Sequence, residues 1–250
     1  MKNLTRMERN LDRESPSARR QLTVNSRQRE IVNSTVVAGY PTRRVHLECG
    51  ALRIQLLVVA RLEDYVDAAT LLRDANAPEP PYWAHPWVGG RALARVIATE
   101  VPCAGRRVIE IGCGLGVAGI VAAACGASVT MIDTVHAALQ FVRANAALNG
   151  CRVHRVQADL RNPGVRGAFD YCLAADVTYD PALQVALAGF LADHLSPGGR
   201  AWCAESVRTL DQGFRQACEQ RGLQTNERTV REPDEGRETS VRITEVQRTR

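Results

Sequence analysis

From Arg106 onward, short apolar runs alternate with longer segments whose apolar residues recur at helical spacing. This alternation predicts an α/β fold in which a parallel sheet carries helices on both faces. The predicted strands are Val108 to Ile111, Ser128 to Ile132, Val153 to Gln157, Phe169 to Ala175 and Arg200 to Glu205. The predicted helices are Val117 to Cys125, Val135 to Asn149, Pro181 to Leu195 and Leu210 to Arg221.

Both ends of this pattern predict hairpins. Leu223 to Val230 and Thr239 to Val246 flank the polar turn E-P-D-E-G-R, which indicates an antiparallel hairpin closing the sheet. Earlier in the chain, β-rich runs on either side of Cys49-Gly50 predict an N-terminal hairpin, and Glu63 to Asp74 has helical spacing. The predicted organisation is a flexible charged arm (1–30), a hairpin and helix that cap the crevice (31–78), and the main domain (79–250).

Composition narrows the class of protein. With 250 residues and 45% hydrophobic positions, the chain can bury one full-sized core. The charged start and the lack of a long apolar run predict a cytoplasmic protein that does not enter a membrane. The eight scattered cysteines predict free thiols and no metal site. The net charge of +5 comes from arginines, with Lys2 as the sole lysine, which indicates genomic base composition and no nucleic-acid partner.

The first candidate chemistry lies in V-I-E-I-G-C-G-L-G, which follows a predicted strand and opens a helix. Gly112, Gly114 and Gly116 let the backbone turn tightly and approach a ligand closely. Asp133 ends the next strand, where an acid can bind the hydroxyls of a ribose. Glu110 suits a zwitterionic amino-acid tail and suits a pyrophosphate poorly, so the loop favours S-adenosylmethionine over a nicotinamide dinucleotide.

Two later strand ends add candidate residues. Asp159 follows the third strand, where it can accept a hydrogen bond from an adenine amino group or serve as an ordinary strand-end cap. The fourth strand ends in A-A-D-V-T-Y-D, which places Asp176, Tyr179 and Asp180 beside the crevice expected at the carboxyl ends of the strands. A nucleophile would meet the methyl group there.

These motifs resemble a known family. The segment P-P-Y-W-A-H-P-W-V-G-G-R-A-L-A-R, the E-I-G-C-G-L-G loop and D-V-T-Y are similar to the seven-β-strand protein methyltransferases that include the lysine methyltransferases of the electron transfer flavoprotein β subunit. The resemblance covers roughly Leu62 to Leu195. It implies a Rossmann-like class I methyltransferase fold with S-adenosylmethionine as the methyl donor.

The resemblance also implies roles for individual residues. Trp83 and Trp87 would lie beside the cofactor, although core packing explains both equally well. Asp176 and Tyr179 would line the acceptor site. After the fifth strand the family carries a D-P-G-R-like stretch, whereas this chain reads C-A-E-S-V-R-T-L, which leaves the acceptor open.

Several alternatives stay open at this point. E-P-P-Y-W superficially matches the motif of enzymes that methylate nucleic-acid bases, but Glu79 cannot replace the amide or aspartate of that motif. His85 can accept a proton near neutral pH or serve as a structural loop residue. The expected function is N-methylation of a protein side chain, with methylation of a small biosynthetic metabolite or a scaffold with other chemistry as alternatives.

Overall fold

The computed structural model describes residues 35–66, 80–206, 213–234 and 236–249. The predicted arm, residues 1–30, lies outside these residues, and so does the predicted domain boundary at residues 78 and 79. Of the helix predicted from Glu63 to Asp74, the described part is a single 3-10 turn at Leu62–Tyr65, and the remainder lies outside the described residues.

Seven strands form the main sheet, in the order β6-β5-β4-β7-β8-β10-β9. Strands β4 to β8 run parallel to one another, whereas β10 is antiparallel to both β8 and β9. The strands are β4 (Arg107–Ile111), β5 (Ser128–Asp133), β6 (Val153–Gln157), β7 (Phe169–Ala175), β8 (Leu195–Ser206), β9 (Leu223–Asp234) and β10 (Arg237–Arg248). The order reverses between β4 and β7, which is where a ligand crevice forms in such sheets.

Helices cover both faces of the sheet because alternate residues of each central strand point to opposite sides. Val108 belongs to the core on one face and Ile109 to the core on the other. The helices on the first face are α1 (Val88–Glu100), α2 (Val117–Ala124) and α3 (His136–Leu148); those on the second are α4 (Pro181–His194) and α5 (Gly213–Glu219). The predicted fold class is confirmed.

The N-terminal hairpin is part of the core. Strands β1 (Val36–Val37), β2 (Tyr40–Cys49) and β3 (Leu52–Val59) form a separate antiparallel sheet. Leu56 is fully buried in the same hydrophobic cluster as α1, α2 and α3. This hairpin therefore cannot be removed without exposing apolar surface of the main domain.

Asn145 of α3 and Asn149, which directly follows this helix, bind the free edge of β3. Asn145 accepts a hydrogen bond from the Leu57 amide at 2.7 Å and donates to the Leu57 carbonyl at 3.3 Å. Asn149 accepts a hydrogen bond from the Gln55 amide at 2.9 Å and donates to the Gln55 carbonyl at 2.7 Å. Asn145 also donates a hydrogen bond, 3.2 Å long, to the carbonyl of Leu115, a residue of the glycine loop. The helix thus replaces a missing neighbouring strand and joins the hairpin to that loop.

Three elements differ from the prediction. Helix α1 is absent from the predicted set, although Ala92, Leu93 and Val96 form its buried side. Strand β8 begins at Leu195 and not at Arg200, directly after α4. The C-terminal strands extend into the predicted E-P-D-E-G-R turn, since Glu232 is buried against α1.

The extension of β9 has an electrostatic cause. Arg95 of α1 contacts the buried Glu232 carboxylate at 2.8 Å. Arg91 contacts Asp234 at 2.7 Å and donates to the Pro86 carbonyl at 2.6 Å. Glu232 and Asp234 look like turn residues in the sequence, but they pair with arginines of a helix more than a hundred residues earlier in the chain. These ion pairs hold the C-terminal hairpin against α1.

No helix among the described residues is long and apolar enough to cross a membrane. All eight cysteines are free thiols, as predicted.

Replacing Asn145 with alanine should lower the free energy of unfolding by about 3 kcal/mol, because the buried Leu57 amide and two carbonyls lose their partner. Asn149→Ala is the matched control, since this side chain is only partly buried and water can replace it. Urea unfolding followed by circular dichroism measures both variants. Equal losses in the two proteins would contradict the role given to Asn145.

Candidate active site

A cleft of about 790 Å³ opens at the carboxyl ends of β4, β5 and β7. This volume lies within the usual range for sites that bind small molecules and cofactors. The cleft is lined by nearly all of the residues predicted for the site: Trp83, His85, Trp87, Glu110, Gly112, Gly114, Asp133, Asp159, Asp176 and Tyr179. The tertiary structure thus brings together residues that are far apart in the sequence.

The glycine loop turns through three residues with positive φ, which are 60° at Gly112, 49° at Gly114 and 76° at Gly116. At Gly114 a Cβ atom would lie 2.9 Å from the Trp83 carbonyl oxygen, so only glycine fits. Gly116 differs from its predicted role, because it does not line the cleft. It starts α2 and packs against Met131 and Val142, so its described role is to turn the chain into the helix.

Glu110 is buried below this loop. Its carboxylate accepts a hydrogen bond from the Gly119 amide at 3.1 Å, near the start of α2. Burial raises the pKa of Glu110 to about 8, while the amides of Gly119 and Ala118 partly oppose that shift. A Cβ at position 119 would lie 2.5 Å from the Glu110 carboxylate, so Gly119 makes room for it. Gly119 is not among the predicted site residues, although it stands in the same G-L-G-V-A-G run.

Asp133 holds the loop from the end of β5. Its two carboxylate oxygens accept hydrogen bonds from the Gly114 amide at 2.8 Å and the Val135 amide at 2.9 Å. Burial raises its pKa, and these amides work in the opposite direction. Each oxygen keeps a second lone pair, so the carboxylate can still accept hydrogen bonds from a ligand in the cleft.

Asp159 lines the cleft but has a partner that the sequence analysis did not predict. Arg161 donates to its carboxylate through Nε at 2.9 Å, and the Arg161 amide donates at 2.8 Å. These contacts lower the pKa of Asp159 to about 2. Asp159 therefore stays ionised, and an adenine amino group would share this carboxylate with a guanidinium.

Asp176 follows β7 in the left-handed backbone region, with φ of 54°. Its carboxylate faces the start of α1, where a Cβ on Gly89 would overlap with Oδ2. Burial raises the pKa of Asp176, and the amides of Ser206, Gly89 and Gly90 partly counteract this effect. Among the described residues, Oδ2 is buried against the start of α1 and has no well-aligned hydrogen-bond partner.

Aromatic side chains surround the mouth of the cleft. The exposed fraction is 41% for Tyr65, 54% for Tyr82, 40% for Trp87 and 81% for Tyr179, and all four residues line the cleft. His85 and Trp87 meet edge to face, with ring centroids 4.8 Å apart. Large exposed rings concentrated at one opening are typical of a surface that binds a partner.

Trp83 is both a packing residue and a lining residue. Its ring lies 5.2 Å from the buried Phe141 ring of α3 and 5.5 Å from Tyr40. Tyr40 and Tyr65 also line the cleft, and sequence reasoning missed both because they belong to the N-terminal hairpin region.

The charge of the cleft opposes that of the chain. In its described part five carboxylic acids line it, Glu110, Asp133, Asp159, Asp176 and Asp180, against the single arginine Arg161. The whole chain carries a net charge of +5. An acidic concave surface favours cationic ligands over anionic ones.

Comparisons with known proteins agree with this geometry. Residues 83–203 match the methyltransferase small domain family. The electron transfer flavoprotein beta subunit lysine methyltransferase of Danio rerio is 34% identical over 105 residues, which are 41% of this chain and 41% of that protein. A protein N-lysine methyltransferase of the same organism is 39% identical over 107 residues, which are 40% and 48% of the two chains. The chain thus spans less than half the length of these curated relatives.

A solved structure shows the fold independently. Magnesium protoporphyrin IX methyltransferase from Synechocystis PCC 6803, with bound S-adenosylmethionine, superposes with a TM-score of 0.53 at 19% identity, covering 64% of this chain and 78% of that one. At this identity the likeness concerns the fold. Residues 83–203 of this chain are therefore similar to the methyltransferase small domain, and the chain shares the fold of an S-adenosylmethionine-binding methyltransferase.

Proposed function

We propose that this protein is an S-adenosylmethionine-dependent N-methyltransferase that acts on a protein side chain, with lysine as the acceptor. The acidic cleft carries this proposal, because its lining acids outnumber its single arginine and favour a sulfonium and a protonated amine. Glu110 adds its negative charge when a cation binds beside it. The same field disfavours carboxylate and phosphate acceptors. The relatives named as lysine methyltransferases support the same acceptor chemistry.

The lining residues suit the proposed cofactor. Gly112 and Gly114 would lie along its amino-acid tail, with Glu110 near the ammonium group and Asp133 on the ribose hydroxyls. Asp159, together with Arg161, would lie at the adenine, and Trp83 and Trp87 would contact the cofactor from above. Gly116 would act indirectly, by directing α2 so that its first amides reach Glu110.

When bound, S-adenosylmethionine supplies an electrophilic methyl group, whose transfer to an amine nitrogen leaves S-adenosylhomocysteine and one proton. The protein has to hold the amine in line, keep it unprotonated and exclude water. Asp176 lines the cleft and would accept a hydrogen bond from the amine, and Tyr179 would orient the amine from the rim. His85 would take the released proton at the mouth, where it lines the cleft.

The direct test measures transfer of a radiolabelled methyl group from S-adenosylmethionine. The purified full chain is incubated with protein extracts and, separately, with the small-molecule fraction, and hydrolysed products are identified. We expect methylated lysine in the protein fraction. Label confined to small molecules would favour the metabolite alternative, and no transfer with tight cofactor binding would favour a scaffold with other chemistry. The predicted cytoplasmic location stays a prediction.

Asp176→Asn should lower kcat by about 100-fold while leaving the affinity for S-adenosylmethionine unchanged, because it removes the charge that holds the amine. Asparagine tolerates the left-handed backbone at this position and preserves the shape of the side chain. Asp170→Asn is the matched control, since Asp170 lies at the other end of β7 and binds the Arg107 amide. A normal kcat in Asp176→Asn would remove Asp176 from the acceptor site.

Asp133→Ala should weaken binding of S-adenosylmethionine about 10- to 100-fold, because it removes the acceptor for the ribose hydroxyls and loosens Gly114. Calorimetric titration measures the affinity. Asp159→Ala is expected to have a smaller effect, since that carboxylate is already shared with Arg161. Unchanged affinity in a folded Asp133→Ala protein would contradict the ribose assignment.

Glu110 should make cofactor binding dependent on pH. With a pKa near 8, this carboxyl is largely protonated at pH 7 in the free protein, and a cofactor ammonium beside it would favour the ionised form. Binding should therefore release a proton from Glu110, and affinity should rise between about pH 6 and pH 8 as less work is needed to remove that proton.

Calorimetry in buffers of different ionisation enthalpy counts the released protons. Glu110→Gln is expected to lose this release and the associated pH dependence. The amine of the cofactor titrates alike with both proteins. The difference in the number of protons released therefore comes from Glu110. An identical proton count in the two proteins would show that Glu110 does not change its ionisation on binding.

A further inference from the structure

The N-terminal hairpin region contributes rings to the cleft from outside the matched segment 83–203. Tyr40 starts β2, and Tyr65 ends the 3-10 turn that follows the hairpin. Both line the cleft, yet neither has a part in the proposed chemistry above. With Trp83 they form a continuous set of rings, which we call the aromatic wall.

The aromatic wall is held in place by the core. Tyr40 lies 4.9 Å from Tyr65 and 5.5 Å from Trp83, measured between ring centroids. Trp83 and Tyr40 both meet the buried ring of Phe141 edge to face, at 5.2 and 6.3 Å. Phe141 and Asn145 are one helical turn apart on α3, so the helix that binds β3 also supports the wall.

The contacts of Trp83 place the wall along the cleft. Its carbonyl oxygen would lie 2.9 Å from a Cβ on Gly114, so the Trp83 backbone runs directly over the glycine loop. The Gly114 amide in turn binds Asp133. The Trp83 end of the wall therefore lies beside Gly114, between the part of the loop assigned to the amino-acid tail and the acid assigned to the ribose. In S-adenosylmethionine the sulfonium joins the amino-acid tail to the ribose.

We propose that the aromatic wall of Tyr40, Tyr65 and Trp83 binds the sulfonium and thereby distinguishes S-adenosylmethionine from S-adenosylhomocysteine. This inference rests on the proposed function, through its cofactor. The faces of tyrosine and tryptophan rings attract cations, and the attraction is stronger in a partly desolvated site. S-adenosylhomocysteine carries a neutral thioether and loses this contact. The wall would thus favour the methyl donor and promote release of the product.

The experiment compares the dissociation constants of the two ligands by calorimetric titration of the full chain. Tyr40→Leu removes a ring and should weaken S-adenosylmethionine binding about three- to tenfold more than S-adenosylhomocysteine binding. Tyr40→Phe keeps the ring and should preserve the wild-type ratio of the two constants. Tyr171→Leu is a control that removes a ring from the pair with Trp202, away from the cleft, and should leave the ratio unchanged.

Thermal melting establishes that each variant folds. If Tyr40→Leu does not fold, Tyr65→Leu on the exposed rim provides the same comparison. Equal weakening of both ligands, or a raised acceptor KM with an unchanged ratio, would overturn the inference and leave the cofactor assignment intact. Failure of the wild-type protein to bind either ligand would instead overturn the proposed function.

Discussion

The buried side chain of Asn145 joins three parts of the molecule that the site requires. It replaces a strand partner for β3, it belongs to α3, and it donates to the Leu115 carbonyl in the glycine loop. A polar group at this depth is stable only when its hydrogen bonds are complete, so the three parts cannot move independently without exposing unpaired groups. The hairpin is consequently built into the site, and its rings stand over the cleft in a defined position.

The cleft concentrates acids in places where backbone amides can offset the cost of burial. Glu110 faces the first turn of α2, Asp176 faces the first turn of α1, and Asp133 binds two loop amides. Helix starts favour negative charge because their amides lack partners within the helix. Burial nevertheless raises the pKa of all three carboxyl groups. A cation that enters the cleft would therefore stabilise the ionised form of each group. Binding of a cationic ligand would relieve this arrangement, as the proposed sulfonium and amine would.

The glycines at the site act mainly by giving space to neighbouring groups. Gly114 admits the Trp83 carbonyl, Gly119 admits Glu110, and Gly89 admits Asp176. Only the first belongs to the motif that the sequence analysis singled out. The close approach of a carboxylate to the start of a helix does not change the spacing of hydrophobic residues. Gly89 and Gly119 therefore cannot be told from other small helical residues in the sequence.

Local sequence pattern was enough to predict the parallel strands, the helices α2 to α5, the glycine loop and the acids at the strand ends, because these follow from periodicity and from where each strand stops. It did not predict helix α1. The tertiary structure alone decided the pairing of Asp159 with Arg161, the burial of Glu232 against Arg95, the withdrawal of Gly116 from the cleft and the entry of Tyr40 and Tyr65 into it. Each of these depends on which side chains meet after folding. Hydrophobic spacing reports which face of an element is buried, but it carries no information about the partner on the other side.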